Sequence, residues 1–136
     1  MGFFGTFAYS HGEWAEASDV PSTSPFLRIE IHDSDIAQID YAPTTDGHGR
    51  FYLGYEPAAY FDDPNASRPV NAAAEAREFS KWAAEVSGLH VASEEFMPLL
   101  ADPDGAEPQD VFVEDTVLKL LRLAGIPAPQ GFQEES

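Results

Sequence analysis

The residues best equipped for chemistry sit in one short stretch, IEIHDSDIAQIDY, from Ile29 to Tyr41, where His32, Asp33 and Asp35 fall within four residues. An imidazole beside two carboxylates is part of the donor set of a metal centre, or the beginning of an acid–base pair. The spacing argues against both. A transition-metal site needs several ligands converging in space. The other histidines, His11, His48 and His90, are isolated in or near loops, with no His-x-x-x-His pair, and the ligand spacing of an EF-hand calcium loop is absent. Asp and Ser are favoured at chain corners because their side chains bond nearby backbone amides. His32 to Asp35 therefore reads as a hairpin corner that presents two carboxylates, and neither metal nor cofactor is expected.

Other catalytic patterns fare no better. The glycines of DGHG and GFFG lack the lysine and the strand–turn–helix setting of a phosphate loop, and no Gly-x-Ser-x-Gly elbow occurs. The paired carboxylates Asp62-Asp63 and Glu94-Glu95 read as solvated surface or helix caps.

Positioning elements follow from periodicity. All five tyrosines and 12 of the 17 aromatic residues lie before residue 62, and aromatic residues suit a pleated surface. GFFGTFAYS (2–10) reads as a first strand and GEW (12–14) as a short return. FLRIEIH (26–32) alternates, with Leu27, Ile29 and Ile31 on one face and Arg28, Glu30 and His32 on the other, the pattern of a strand with one wet face. DIAQIDYAP (35–43) alternates again, with Ala37, Ile39 and Tyr41 inward. TTDGHG (44–49) is a turn, and RFYLGY (50–55) another strand.

Beyond Pro57 the pattern turns helical. NAAAEAREFSKWAAEVSG (71–88) carries Asn71 as its cap, Gly88 as its terminator and a buried stripe at Ala76, Phe79, Ala83 and Val86. SEEFMPLLADPDG (93–105) starts a helix that Pro98 keeps short. DVFVEDTVLKLLRLAGIP (110–127) predicts a last helix, with Val113, Val117, Leu120, Leu121 and Ala124 inward and Gly125 and Pro127 as stops. The expected fold class is α+β, an antiparallel β-meander of about four strands in the N-terminal half packed against two to three helices from the C-terminal half. At 136 residues the chain reads as one domain, 1–136, with 126–136 a frayed tail.

The charge is extreme: 24 acidic residues against seven lysines and arginines. Such a surface repels nucleic acid and anionic lipid, and attracts basic proteins. No basic leader and no run of ~20 apolar residues is seen, so neither secretion nor a membrane span is expected, and the absence of cysteine fits a reducing, cytoplasmic location. Between Lys81 and Lys119 there is no lysine or arginine, while Glu85, Glu94, Glu95, Asp102, Asp104, Glu107, Asp110, Glu114 and Asp115 all fall there. The loop-like DPDGAEPQD (102–110) at its centre can point Asp102, Asp104, Glu107 and Asp110 outward. A second candidate contact is YEPAAYFDDP (55–64), in which Tyr60 and Phe61 supply aromatic anchors beside Asp62 and Asp63.

In size, charge and architecture the chain resembles the small acidic immunity proteins that bacteria pair with secreted protein toxins. The resemblance implies a protein that is not an enzyme, monomeric when unbound, which covers the active site of a basic toxin domain with carboxylates and aromatics. Partner-binding residues would then be Asp33, Asp35, Tyr60, Phe61, Asp62, Asp63, Asp102, Asp104, Glu107 and Asp110. Two other functions are open to the same composition. One is an adaptor or nucleic-acid mimic whose carboxylates imitate phosphates toward a basic protein. The other is a small enzyme with a pocket drawn from Tyr41, Tyr52, Tyr55 and a histidine.

Overall fold

A computed structural model describes residues 5–10, 13–16, 25–33, 35–42, 49–55, 72–101 and 113–128. Five strands, β1 (Gly5–Ser10), β2 (Glu13–Glu16), β3 (Phe26–His32), β4 (Ile36–Ala42) and β5 (Gly49–Gly54), form one antiparallel sheet in the order β2-β1-β3-β4-β5. The extra strand relative to a four-stranded expectation is the short return, β2. Three helices complete the α+β fold: α1 (Ala72–Ser87), α2 (Ser93–Phe96), which runs into a 3-10 turn at Met97–Leu99, and α3 (Val113–Ala124). No described helix is long and apolar enough to cross a membrane.

Alternation in the strands builds the core face. Leu27 pairs with Tyr41, Ile29 with Ile39 and Ile31 with Ala37, while Phe51 and Leu53 continue the row on β5. All of these are buried, and α1 and α3 pack on them. Phe79 of α1 is the hub, its ring centroid 5.3 Å from Tyr41, 5.2 Å from Phe51, 5.3 Å from Trp82 and 5.2 Å from Phe96. Edge-to-face and offset contacts of this kind add about 0.5–1.5 kcal/mol each beyond the area they bury. The helix stripe is wider than the three-four spacing implies. Trp82 is fully buried as well, and its Nε1–H donates to the Ala42 carbonyl of β4 at 3.0 Å.

Both long helices end on a glycine in the left-handed region, Gly88 (φ 78°) and Gly125 (φ 77°). At the second, Gly125 N–H bonds the Arg122 carbonyl and Ile126 N–H bonds that of Leu121, the paired bonds of a Schellman stop. Ile126 packs back into the core at 5 % exposure, and Pro127 accepts a 2.6 Å bond from Trp14 Nε1. This corrects the expected start of the tail: residues 126 and 127 are docked, because the helix stop turns an apolar residue inward. Residues 129–136, and the proposed cap Asn71, lie outside the described residues.

The other face of the sheet departs from expectation too. Arg28, Glu30 and His32 were to form a wet face, yet Arg28 is only 7 % exposed and Asp40 is 0 % exposed. The cause is the register. Asp40 sits directly between Arg28 on β3 and Arg50 on β5, accepting from Arg50 Nε at 2.6 Å and from Gln38 Nε2 at 2.9 Å, with the Arg28 guanidinium at 3.5 Å. This charge-assisted bond holds the Arg50 guanidinium above its ordinary pKa. Phe26, Ile36, Ala42 and Tyr52 on this face are buried around the network.

Candidate functional site

The histidine–aspartate stretch is a turn. Asp33 has φ 52°, a left-handed conformation that Asp tolerates better than most side chains, and the His32 carbonyl accepts the Asp35 N–H at 3.0 Å. His32, Asp33 and Asp35 are half-buried, and among the described residues no three His, Asp or Glu side chains converge as metal ligands.

What the turn does is bring one end of the sheet together. The Asp35 carbonyl accepts the Tyr55 N–H at 3.0 Å, which ties the β3–β4 corner to the exit of β5. Ala101 N–H donates to the Tyr52 carbonyl at 2.7 Å, and Leu100 bridges to Leu53. Gly54 (φ 81°) lies so close to its neighbours that an added Cβ would sit 2.1 Å from the Asp35 oxygen and 2.9 Å from Cγ2 of Val113, the first residue of α3. Only a glycine permits that approach. Tyr55 leads into 56–71, and Ala101 and Val113 bracket 102–112. The chain thus enters or leaves both acidic candidate segments beside the last residues of β5, next to Asp33 and Asp35.

Of the expected contact residues, Asp33 and Asp35 are placed at this end. Tyr60, Phe61, Asp62, Asp63, Asp102, Asp104, Glu107 and Asp110 lie outside the described residues. Glu114 and Asp115, the last two carboxylates of the lysine- and arginine-free span, sit in the first turn of α3 and are buried, at 2 % and 8 % exposure. Negative charge on the first turn of a helix is stabilising by about 0.3–1 kcal/mol at the surface and more when partly buried.

Two of the tyrosines that a catalytic pocket would draw on, Tyr41 and Tyr52, point to opposite faces of the sheet. Tyr41 belongs to the core face and Tyr52 to the opposite face, because they occupy out-of-phase positions on β4 and β5. Tyr41 donates to Glu75 Oε1 at 2.9 Å, and burial, reinforced by that bond, pushes its phenol well above the ordinary value. The sign for stability follows. Above the unfolded-state pKa of about 10 the unfolded chain sheds a proton that the folded one keeps, so stability falls by about 1.4 kcal/mol per pH unit. Tyr41's own contribution should be constant below that pH, and Tyr41→Phe should remove its part of the loss from pH 10 upward. Urea titrations at stepped pH would check this; an unchanged slope in the variant would contradict it.

An open groove of about 510 Å³ between α1 and the chain after it is lined by Ser80, Lys81, Ala84, His90, Val91 and Ala92. The Ser80 hydroxyl is committed to the Val91 carbonyl, which braces the loop against α1, and Lys81 Nζ lies 3.4 Å from Glu78 of the same helix.

The fold and the site together define a small antiparallel α+β domain in which Tyr55, Ala101 and Val113, residues that flank the two acidic segments, lie near the end of β5. Compared with protein-family models, curated proteins and solved structures, the chain matches none.

Proposed function

We propose that the protein is a non-enzymatic inhibitor of the immunity type, acting in the cytoplasm as a monomer that docks its acidic end on a basic protein and covers that partner's active site. One observation carries the reading: Tyr55, which leads into 56–71, and Ala101 and Val113, which bracket 102–112, lie near the end of β5 beside Asp33 and Asp35. If the carboxylates of both segments stay near these junctions, the net charge of −17 acquires a direction. Directed charge steers encounter, and buried aromatics such as Tyr60 and Phe61 would set the lifetime of the complex.

The test is capture of partners from the source cells at low and high salt, followed by assay of the captured protein with and without stoichiometric inhibitor. The expected partner is basic, loses its own activity on binding and associates more slowly as salt rises. A partner that is a nucleic-acid-binding protein displaced by DNA or RNA would favour the mimic reading instead. Association indifferent to salt, or a partner whose activity is untouched, contradicts inhibition by charge-steered docking.

A further inference from the structure

At the far side of the sheet from β5, β2 is the outermost strand, and among the described residues none lies beyond it. An edge strand exposes alternate backbone N–H and C=O groups, a template for strand addition. Four residues would ordinarily be too short to hold such a template still. Here β2 is pinned twice: all four residues pair with β1, and Trp14 packs on Tyr9 at 5.1 Å while its indole N–H bonds Pro127. Its sequence is EWAE, with Glu13 exposed.

That chemistry selects the occupant. A second copy paired along β2 would lay one EWAE strand against another, acidic sequence against acidic sequence, each chain carrying a net charge of −17. Like charges across a ladder are destabilising, and opposite charges are favourable. We infer that β2 is a docking edge for an extended, lysine- or arginine-bearing segment of a partner protein, which adds as a further strand. The inference is independent of the acidic end at β5, since the two lie on opposite edges of the sheet.

The probe is a synthetic peptide of roughly eight residues, the length of an ordinary strand, alternating Lys with Val or Thr. Amide shifts at 13–16 and Trp14 emission report on the edge, while Trp82, 1 % exposed, serves as an internal reference. Saturable binding is expected at 13–16, weakened roughly tenfold or more by N-methylation of alternate peptide amides and severalfold by Glu13→Lys. An acidic peptide of the same pattern binding equally well would overturn the charge selection. Shifts confined to other elements, or no binding up to roughly 1 mM, would overturn the edge itself. Concentration-dependent self-association through 13–16 would make a second copy the occupant, and overturn the proposal too.

Discussion

Asp40→Asn is expected to lower the unfolding free energy by about 3–5 kcal/mol, the cost of removing one partner from a buried ion network. The carboxylate is 0 % exposed and receives Arg50, Gln38 and Arg28 from three strands. Asparagine keeps the shape and loses the charge. Arg50, with 45 % of its side chain exposed, regains water, whereas Arg28, at 9 %, loses a buried counter-charge. Its 3.7 Å approach to Glu30 is a weak substitute, because that carboxylate is half exposed. Most of the cost therefore comes from Arg28, and removing that charge as well should restore part of it. Urea unfolding of Asp40→Asn and of Asp40→Asn with Arg28→Met separates the two. If the double variant is no more stable than the single one, the account by loss of counter-charge fails. Glu78→Ala, which breaks the exposed Lys81 pair, should cost no more than about 1 kcal/mol, as surface pairs do.

Phe79→Ala is expected to cost about 3–5 kcal/mol, the range for emptying a large aromatic side chain from a core. Phe79 joins strand aromatics Tyr41 and Phe51 to helix aromatics Trp82 and Phe96, so its loss leaves four rings facing a void. Domains of this kind hold only about 5–15 kcal/mol in total, so the variant should be near its folding threshold. Phe79→Leu refills most of the space and should recover more than half of the loss. Chemical denaturation followed by circular dichroism would show it. A Leu variant as unstable as the Ala one would mean that ring geometry, rather than volume, holds the hub.

How much of this was legible depends on what each residue signals alone. Leu27, Ile29 and Ile31 alternate with polar neighbours, so β3 and its buried face could be read directly, and the same holds for Ala37, Ile39 and Tyr41 on β4. The corner at Asp33 was legible because Asp and Ser have few other reasons to cluster between two alternating runs. The buried Arg28–Asp40–Arg50 network was not. Each residue looks like an ordinary solvated charge until register sets Asp40 opposite both arginines. Trp82 was missed for a related reason: a single stripe of three-four steps passes through Ala83, and only the packing of β4 shows that the adjacent position is buried too. Of the candidate contacts, Asp33 and Asp35 could be argued from composition, but their meeting with Tyr55, Ala101 and Val113 depends on long-range backbone bonds that no local pattern encodes.

The central claim is that Asp33, Asp35 and the acidic segments joined to the fold beside β5, rather than negative charge in general, meet a cationic partner. The direct measurement compares association rates for two neutralised proteins of equal net charge. One carries Asp33→Asn, Asp35→Asn, Asp102→Asn and Asp104→Asn; the other carries Glu78→Gln, Glu85→Gln, Glu94→Gln and Glu95→Gln on α1 and α2. The account predicts that the first set slows association with the captured partner by roughly 10- to 10³-fold, the span of electrostatic steering, and that the second slows it much less. Equal slowing by both sets, or none by the first, would contradict it.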